Sequence, residues 1–220
     1  MSKTVASTRT YHHGDLRQAL IEAACEHLRT SGADTLSLRA LARTIGVSQT
    51  APYRHFESKS ALFAAIAYYG FELLRVELQA ACDKCGDDTE AAILETGLSY
   101  VRWAQDNSEK YQLFFDSSLV DFSLHEELID AGTAAFEVLL NLIETAIEEG
   151  ILIDKPIVLL AGTLWSTVHG VASLLISMGE LAEEEFAMNQ PVVGIMRQLS
   201  ADPRATLEIL VKSLKPVGKD

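Results

Sequence analysis

Residues 46–62 read GVSQTAPYRHFESKSAL. Gln49, Thr50, Tyr53, Arg54, His55 and Lys59 crowd hydrogen-bonding and cationic tips into a few positions. A buried helix would not carry so many polar tips, and a fully solvated one would have no use for Pro52, Tyr53 and Phe56. The mixture suits an element that packs on one side and meets a polar, anionic surface on the other. Lys59 and the unpaired amides that follow Ser58 open a helix, where backbone N–H groups and the helix dipole favour an anion. Ser37 and the start of the helix behind it offer a second such place.

Other residues invite bond-making chemistry and do not sustain it. Cys82-x-x-Cys85 has no second ligand pair at zinc spacing and no βαβ setting for thiol exchange. Three cysteines also make no disulfide framework. His12-His13 stand on a polar arm, suited to solvent or phosphate as well as to metal. The chain has no Gly-x-Ser-x-Gly, P-loop, His-Glu-x-x-His or dinucleotide-binding glycine pattern, so neither an enzyme, a cofactor nor a metal site is expected. Trp165 and His169 share a face at i, i+4, and Trp103, Tyr111, Phe114, Phe115, Phe122 and Phe136 are further aromatics suited to line a pocket in the body or to fill its core. Trp103, Phe114, Trp165 and His169 are the candidates for a ligand pocket. The competing reading is ordinary core packing with a satisfied histidine.

These residues sit on helices. Only 5 prolines in 220 residues and few β-branched runs favour helix over strand. Leu16, Ala19, Leu20, Ala23 and Leu28 form one stripe, with Asp15 as cap and Gly32 as stop. Ser37 caps a short helix with Leu38, Leu41, Ala42 and Ile45 inward, stopped by Gly46. Ser48 is expected to cap a third helix reaching His55, and Ser58 a fourth reaching Cys82. A polar turn, DKCGDD at 83–88, follows. Further helices are expected over about 89–106, 108–117, 121–149, 155–178 and 203–215, the last opened by Asp202-Pro203. The stretch before Asp202 is too loosely patterned to assign. Residues 157–179 lack any Asp, Glu, Lys or Arg, close to a membrane span in length, but His169, several hydroxyls and three glycines favour a central helix covered partly by a second subunit.

Two short helices separated by Gly46-Val47-Ser48 make a helix-turn-helix. Such a pair presents the start of its second helix to the DNA major groove, and Gln49, Thr50 and Ala51 occupy that start. Glutamine can bond adenine bidentately, while threonine and alanine methyls can touch the thymine methyl. Tyr53 and His55 can reach phosphates. The net charge of −13 does not exclude this, because residues 1–60 carry eight Lys and Arg against five Asp and Glu, and screening over about 8–10 Å makes the nearest charges count most.

The stretch LSLRALARTIGVSQTAPYRHFESKSALFAAI (36–66) resembles the TetR family of transcriptional regulators (TetR/AcrR type), with its Gly-Val-Ser turn, Tyr-x-x-Phe and following Lys. LWSTVHGVASL (164–174) resembles the Trp-His-Gly class of regulatory domains within that family. The resemblance implies an all-α homodimer whose long C-terminal helices form the seam. It implies DNA contacts at Gln49, Thr50, Ala51, Tyr53, His55 and Lys59, to which the helix start at Ser37 adds a further expected contact, and a small-molecule effector in the body. The organisation expected is a flexible arm (1–14), a three-helix helix-turn-helix domain (15–75) and a regulatory and dimerisation domain (76–220). The function expected is a ligand-responsive repressor on an inverted-repeat operator. The alternatives are a redox-responsive regulator using Cys82 and Cys85, or a small-molecule-binding interaction protein without DNA binding. Met1–Thr10 has no apolar stretch of a secretory signal, so a cytoplasmic location without membrane attachment is expected.

Overall fold

The computed structural model describes residues 16–181 and 191–217, so the N-terminal arm, the Asp15 cap and His12-His13 lie outside the described residues. Those residues are all-α, with no strand among them. Helix α1 (Leu16–Ser31) buries Leu20, Ile21 and Ala24 and stops at Gly32, whose φ of 73° suits glycine. Helix α2 (Leu38–Ile45) begins where the Ser37 side chain accepts the Ala40 N–H and ends at Gly46, φ 77°. There the Val47 N–H reaches back to the Ala42 carbonyl at 2.9 Å, a left-handed stop that satisfies a helix-end acceptor.

The expected third helix is not an α-helix. Ser48–Ala51 form a turn and Pro52–Arg54 one turn of 3-10 helix. Proline has no N–H, so position 52 cannot bond the Ser48 carbonyl. That carbonyl takes the Ala51 N–H instead at 3.0 Å, and the Pro52 carbonyl receives both His55 and Phe56 N–H at 2.9 Å. Nor does Ser48 cap anything: its hydroxyl lies 3.3 Å from that of Thr50. Pro52 and Phe56 are buried and pin the segment to the head.

Helix α3 (Lys59–Asp83), capped by the Ser58 hydroxyl on the Ala61 N–H, passes without a break from this head into the rest of the chain. Helices α4 (Thr89–Asp106), α5 (Ser108–Phe115), α6 (Glu126–Glu148), α7 (Ile157–Leu181), α8 (Pro191–Ala201) and α9 (Pro203–Ser213) complete the body. α3 packs on α4 and α6, α4 on α7 and α9, and α5 bridges α1 and α3. Asp202 caps α9 through the Ala205 N–H, with Pro203 in the first turn.

Two further stretches differ from the sequence expectation. The 121–149 stretch opens as a 3-10 turn, Phe122–Leu124, because the Asp121 carboxylate holds the Ser123 N–H and hydroxyl. The unassigned stretch contains α8, and its residues 182–190 lie outside the described ones. α7 is the one described helix long and apolar enough to cross a membrane. It turns Leu160, Ala161, Leu164, Val168 and Ala172 into the core and leaves Val158, Leu159 and Leu174 exposed.

Candidate nucleic-acid interface and internal cavity

The head exposes the polar residues of its turn. Gln49, Thr50, Tyr53, Arg54 and His55 are exposed and Ala51 is half-buried, all on the short stretch held down by Pro52 and Phe56. The Arg17 guanidinium lies 5.4 Å from the centre of the Phe56 ring and braces it from α1. Ser37 is exposed; its oxygen accepts the α2 cap bond, which leaves the O–H to donate outward. Lys59 is less free than its position suggested. Its ammonium donates to the Ala33 carbonyl at 2.6 Å and lies 5.4 Å from the Phe63 ring centre. It ties the start of α3 to the loop between α1 and α2, and two of its three N–H groups remain for other partners.

Sequence reading passed over Arg39, Arg43 and Arg54 as site residues, yet all three are exposed beside this surface. Arg39 and Arg43 stand four apart, off the buried Leu38-Leu41-Ala42 stripe of α2. The signal was present: cations at helical spacing opposite an apolar face.

The body encloses a cavity of about 450 Å³ walled by α3, α4, α5, α6, α7 and α9. Of the pocket candidates, Phe114 and Trp165 are wall residues. Trp103 is not: it is buried behind Phe114, ring centres 5.6 Å apart, and borders a separate polar hollow with Glu77, Arg102 and Asp106. His169 sits just behind the wall, its ring 4.3 Å from that of Phe115 and 5.4 Å from that of Trp165. Phe71, Thr96, Tyr100 and Leu128 are walls that sequence reading did not select. They come from three helices, and only Thr96 and Tyr100, four apart on α4, share a local spacing.

A polar chain runs behind the apolar wall. The Tyr100 O–H donates to the Tyr111 oxygen at 3.4 Å, and Tyr111 meets His169 Nδ1 at 2.6 Å. Burial lowers the His169 pKa from its ordinary value, so near neutral pH the ring is uncharged, and its tautomer sets whether Nδ1 accepts the Tyr111 proton or donates to the Tyr111 oxygen. Burial likewise raises both phenols, Tyr100 further by the neighbouring Tyr111. The cysteines are free thiols. Burial raises Cys25 to about 11, and burial first and then nearby carboxylates raise Cys82 and Cys85. None has the lowered pKa of a reactive thiolate. Among the described residues no cluster of His, Cys, Asp and Glu could hold a metal ion.

A small polar helical head joined by one long helix to a larger, hollow helical body is the architecture of a helix-turn-helix regulator. Comparison with known proteins agrees. Residues 20–66 match the family model described as bacterial regulatory proteins, tetR family, and residues 93–190 match that of the tetracyclin repressor-like C-terminal domain. The chain belongs to the TetR family and is a DNA-binding transcriptional regulator. It is similar to a solved protein of unknown function from Rhodococcus sp. RHA1, at 27% identity and TM-score 0.74 over 95% of this chain and 100% of that one. A tetR-family regulatory protein from Rhodococcus RHA1 has the same fold at 19% identity and TM-score 0.64, over 92% and 98% of the two chains. So does the TetR family transcriptional regulator PfmR from Thermus thermophilus, at 18% and 0.60, over 70% and 84%. No curated protein sequence matches.

Proposed function

We propose that this regulator is a ligand-responsive repressor that binds an inverted-repeat operator as a homodimer, has no catalytic activity of its own and works in the cytoplasm. The observation that carries the reading is α3. Its first residue, Lys59, is tied to the head, and Phe71, Leu74 and Leu78 of the same helix wall the cavity. A helix rises about 1.5 Å per residue, so one rigid rod spans the roughly 18 Å between the Lys59 and Phe71 levels. A molecule that displaces Phe71 therefore acts on the orientation of the head. We assign DNA contact to Ser37, Gln49, Thr50, Ala51, Tyr53, His55 and Lys59, and the head and body to 15–75 and 76–220. The exposed apolar residues Val158, Leu159 and Leu174 of α7 and Ile209 of α9 are surface that a second copy would cover.

Selection of bound duplexes from a random pool tests the reading. An inverted repeat is expected, with twice the 24.1 kDa chain mass in analytical ultracentrifugation. Gln49→Ala is expected to cost about 1–3 kcal/mol per half-site and relax preference at one base pair, with little change in salt dependence. A selected site without two-fold symmetry, or a monomer at micromolar concentration, would overturn the dimeric operator. Equal loss on selected and random duplex with Gln49→Ala would remove that residue from base recognition. The redox alternative is disfavoured by the raised Cys82 and Cys85 thiols.

A further inference from the structure

The cavity allows the effector to be named by chemical class, which rests on the reading of this cavity as the effector site. None of its wall residues is Asp, Glu, Lys, Arg or His. A carboxylate or ammonium entering it would lose its water and find no counter-charge. The walls are aliphatic and aromatic, with the Phe71 and Phe114 rings stacked at 3.8 Å. At about 450 Å³ the space falls within the roughly 300–1,000 Å³ typical of small-molecule pockets.

Of the three hydroxyl-bearing wall residues, Thr133 returns its hydroxyl to the Ile129 carbonyl, while Thr96 and Tyr100 stand four apart on one face of α4. Thr96 is 4% exposed, and its hydroxyl is the one buried side-chain polar atom without a partner among the described residues. A helical threonine commonly returns its hydroxyl to the carbonyl four residues back. Thr30, Thr44, Thr133, Thr145, Thr163 and Thr167 do so here. Thr96 does not. Threonine in a helix divides between two χ1 positions, so a rotation can turn this hydroxyl toward a partner that a ligand brings. The Tyr100 proton is committed to Tyr111 and the Trp165 indole N–H faces its oxygen, which leaves that oxygen one further lone pair to accept.

We infer that the effector is an uncharged, mainly hydrocarbon, ring-containing molecule carrying one neutral hydroxyl that Thr96 and Tyr100 recognise. Equilibrium dialysis of the full chain against 4-phenylphenol, biphenyl and biphenyl-4-carboxylate tests this. The phenol is expected to bind best, biphenyl less tightly and the carboxylate at least tenfold more weakly than the phenol. Thr96→Val is expected to weaken the phenol roughly five- to tenfold, to change biphenyl less than twofold and not to lower the melting temperature. Tyr100→Phe is the second variant, expected to narrow the phenol-to-biphenyl ratio in the same direction. Carboxylate binding equal to that of the phenol overturns the class. An unchanged ratio in both variants overturns the recognition by Thr96 and Tyr100. Ala135→Phe, which fills a wall position, separates the two levels. If the phenol still binds to it, or if none of the three probes binds the wild type, the cavity is not the effector site and the underlying reading fails with this one.

Discussion

Lys59→Met removes an ammonium while keeping most of the hydrocarbon stem, and it separates two roles that one residue combines. The first role is structural. A hydrogen bond from a charged donor contributes about 1.5–3 kcal/mol, and the Ala33 carbonyl receives one from Lys59 at 2.6 Å. The ring contact with Phe63 adds about 0.5–1 kcal/mol at a partly exposed site. Partial exposure puts the first contribution at its lower end, so the variant is expected to lose about 2 kcal/mol. For a chain of this size each kcal/mol corresponds to about 2–4 °C, a fall in melting temperature of roughly 4–8 °C. The second role is at the operator. Loss of one phosphate contact lowers the salt slope by about 0.9 per subunit and weakens all sequences alike. Melting curves, followed by DNA titration at several salt concentrations well below the melting temperature, read both. An unchanged melting temperature would refute the tether to Ala33. A lowered melting temperature with an unchanged salt slope would make Lys59 a structural post and remove it from the DNA contacts.

Gly70→Ala is expected to destabilise. Its new Cβ would lie 2.9 Å from Phe114 Cε1, and that ring is stacked between Phe71 and Trp103. Overpacking costs about 1–3 kcal/mol against about 1 kcal/mol gained in helix propensity; chemical denaturation showing a net gain near 1 kcal/mol would mean that the α3–α5 contact is looser than this. Stability is also expected to fall as pH drops below the ordinary histidine range near 6.5. Burial lowers the His169 pKa in the folded state, so over that window the unfolded chain binds more protons and acid favours it. Melting curves of wild type and His169→Gln between pH 8 and 5 check this, and an unaltered pH dependence in the variant would place its source elsewhere.

Much of the fold is legible in the sequence because its punctuation is local. Ser37, Gly46, Ser58, Asp88 and Asp202 mark helix ends through bonds within a few residues, so residue type and spacing suffice. The exposed polar face of the segment around Gln49 is legible for the same reason: polar tips and buried anchors alternate within it. Its conformation is not: losing one bond at Pro52 reads as tolerable in a helix barely two turns long, yet that missing donor turns the expected α-helix into a turn and a 3-10 segment. The commitment of Lys59 is likewise hidden, since its partner Ala33 is remote in sequence and offers only a backbone carbonyl. The cavity was wholly a tertiary decision. Most of its walls are apolar residues on six helices, each of which would read as core. Only the packing of those helices leaves some of them facing a hollow, puts Trp103 behind it, and leaves Thr96 as a threonine that has not bonded its own helix.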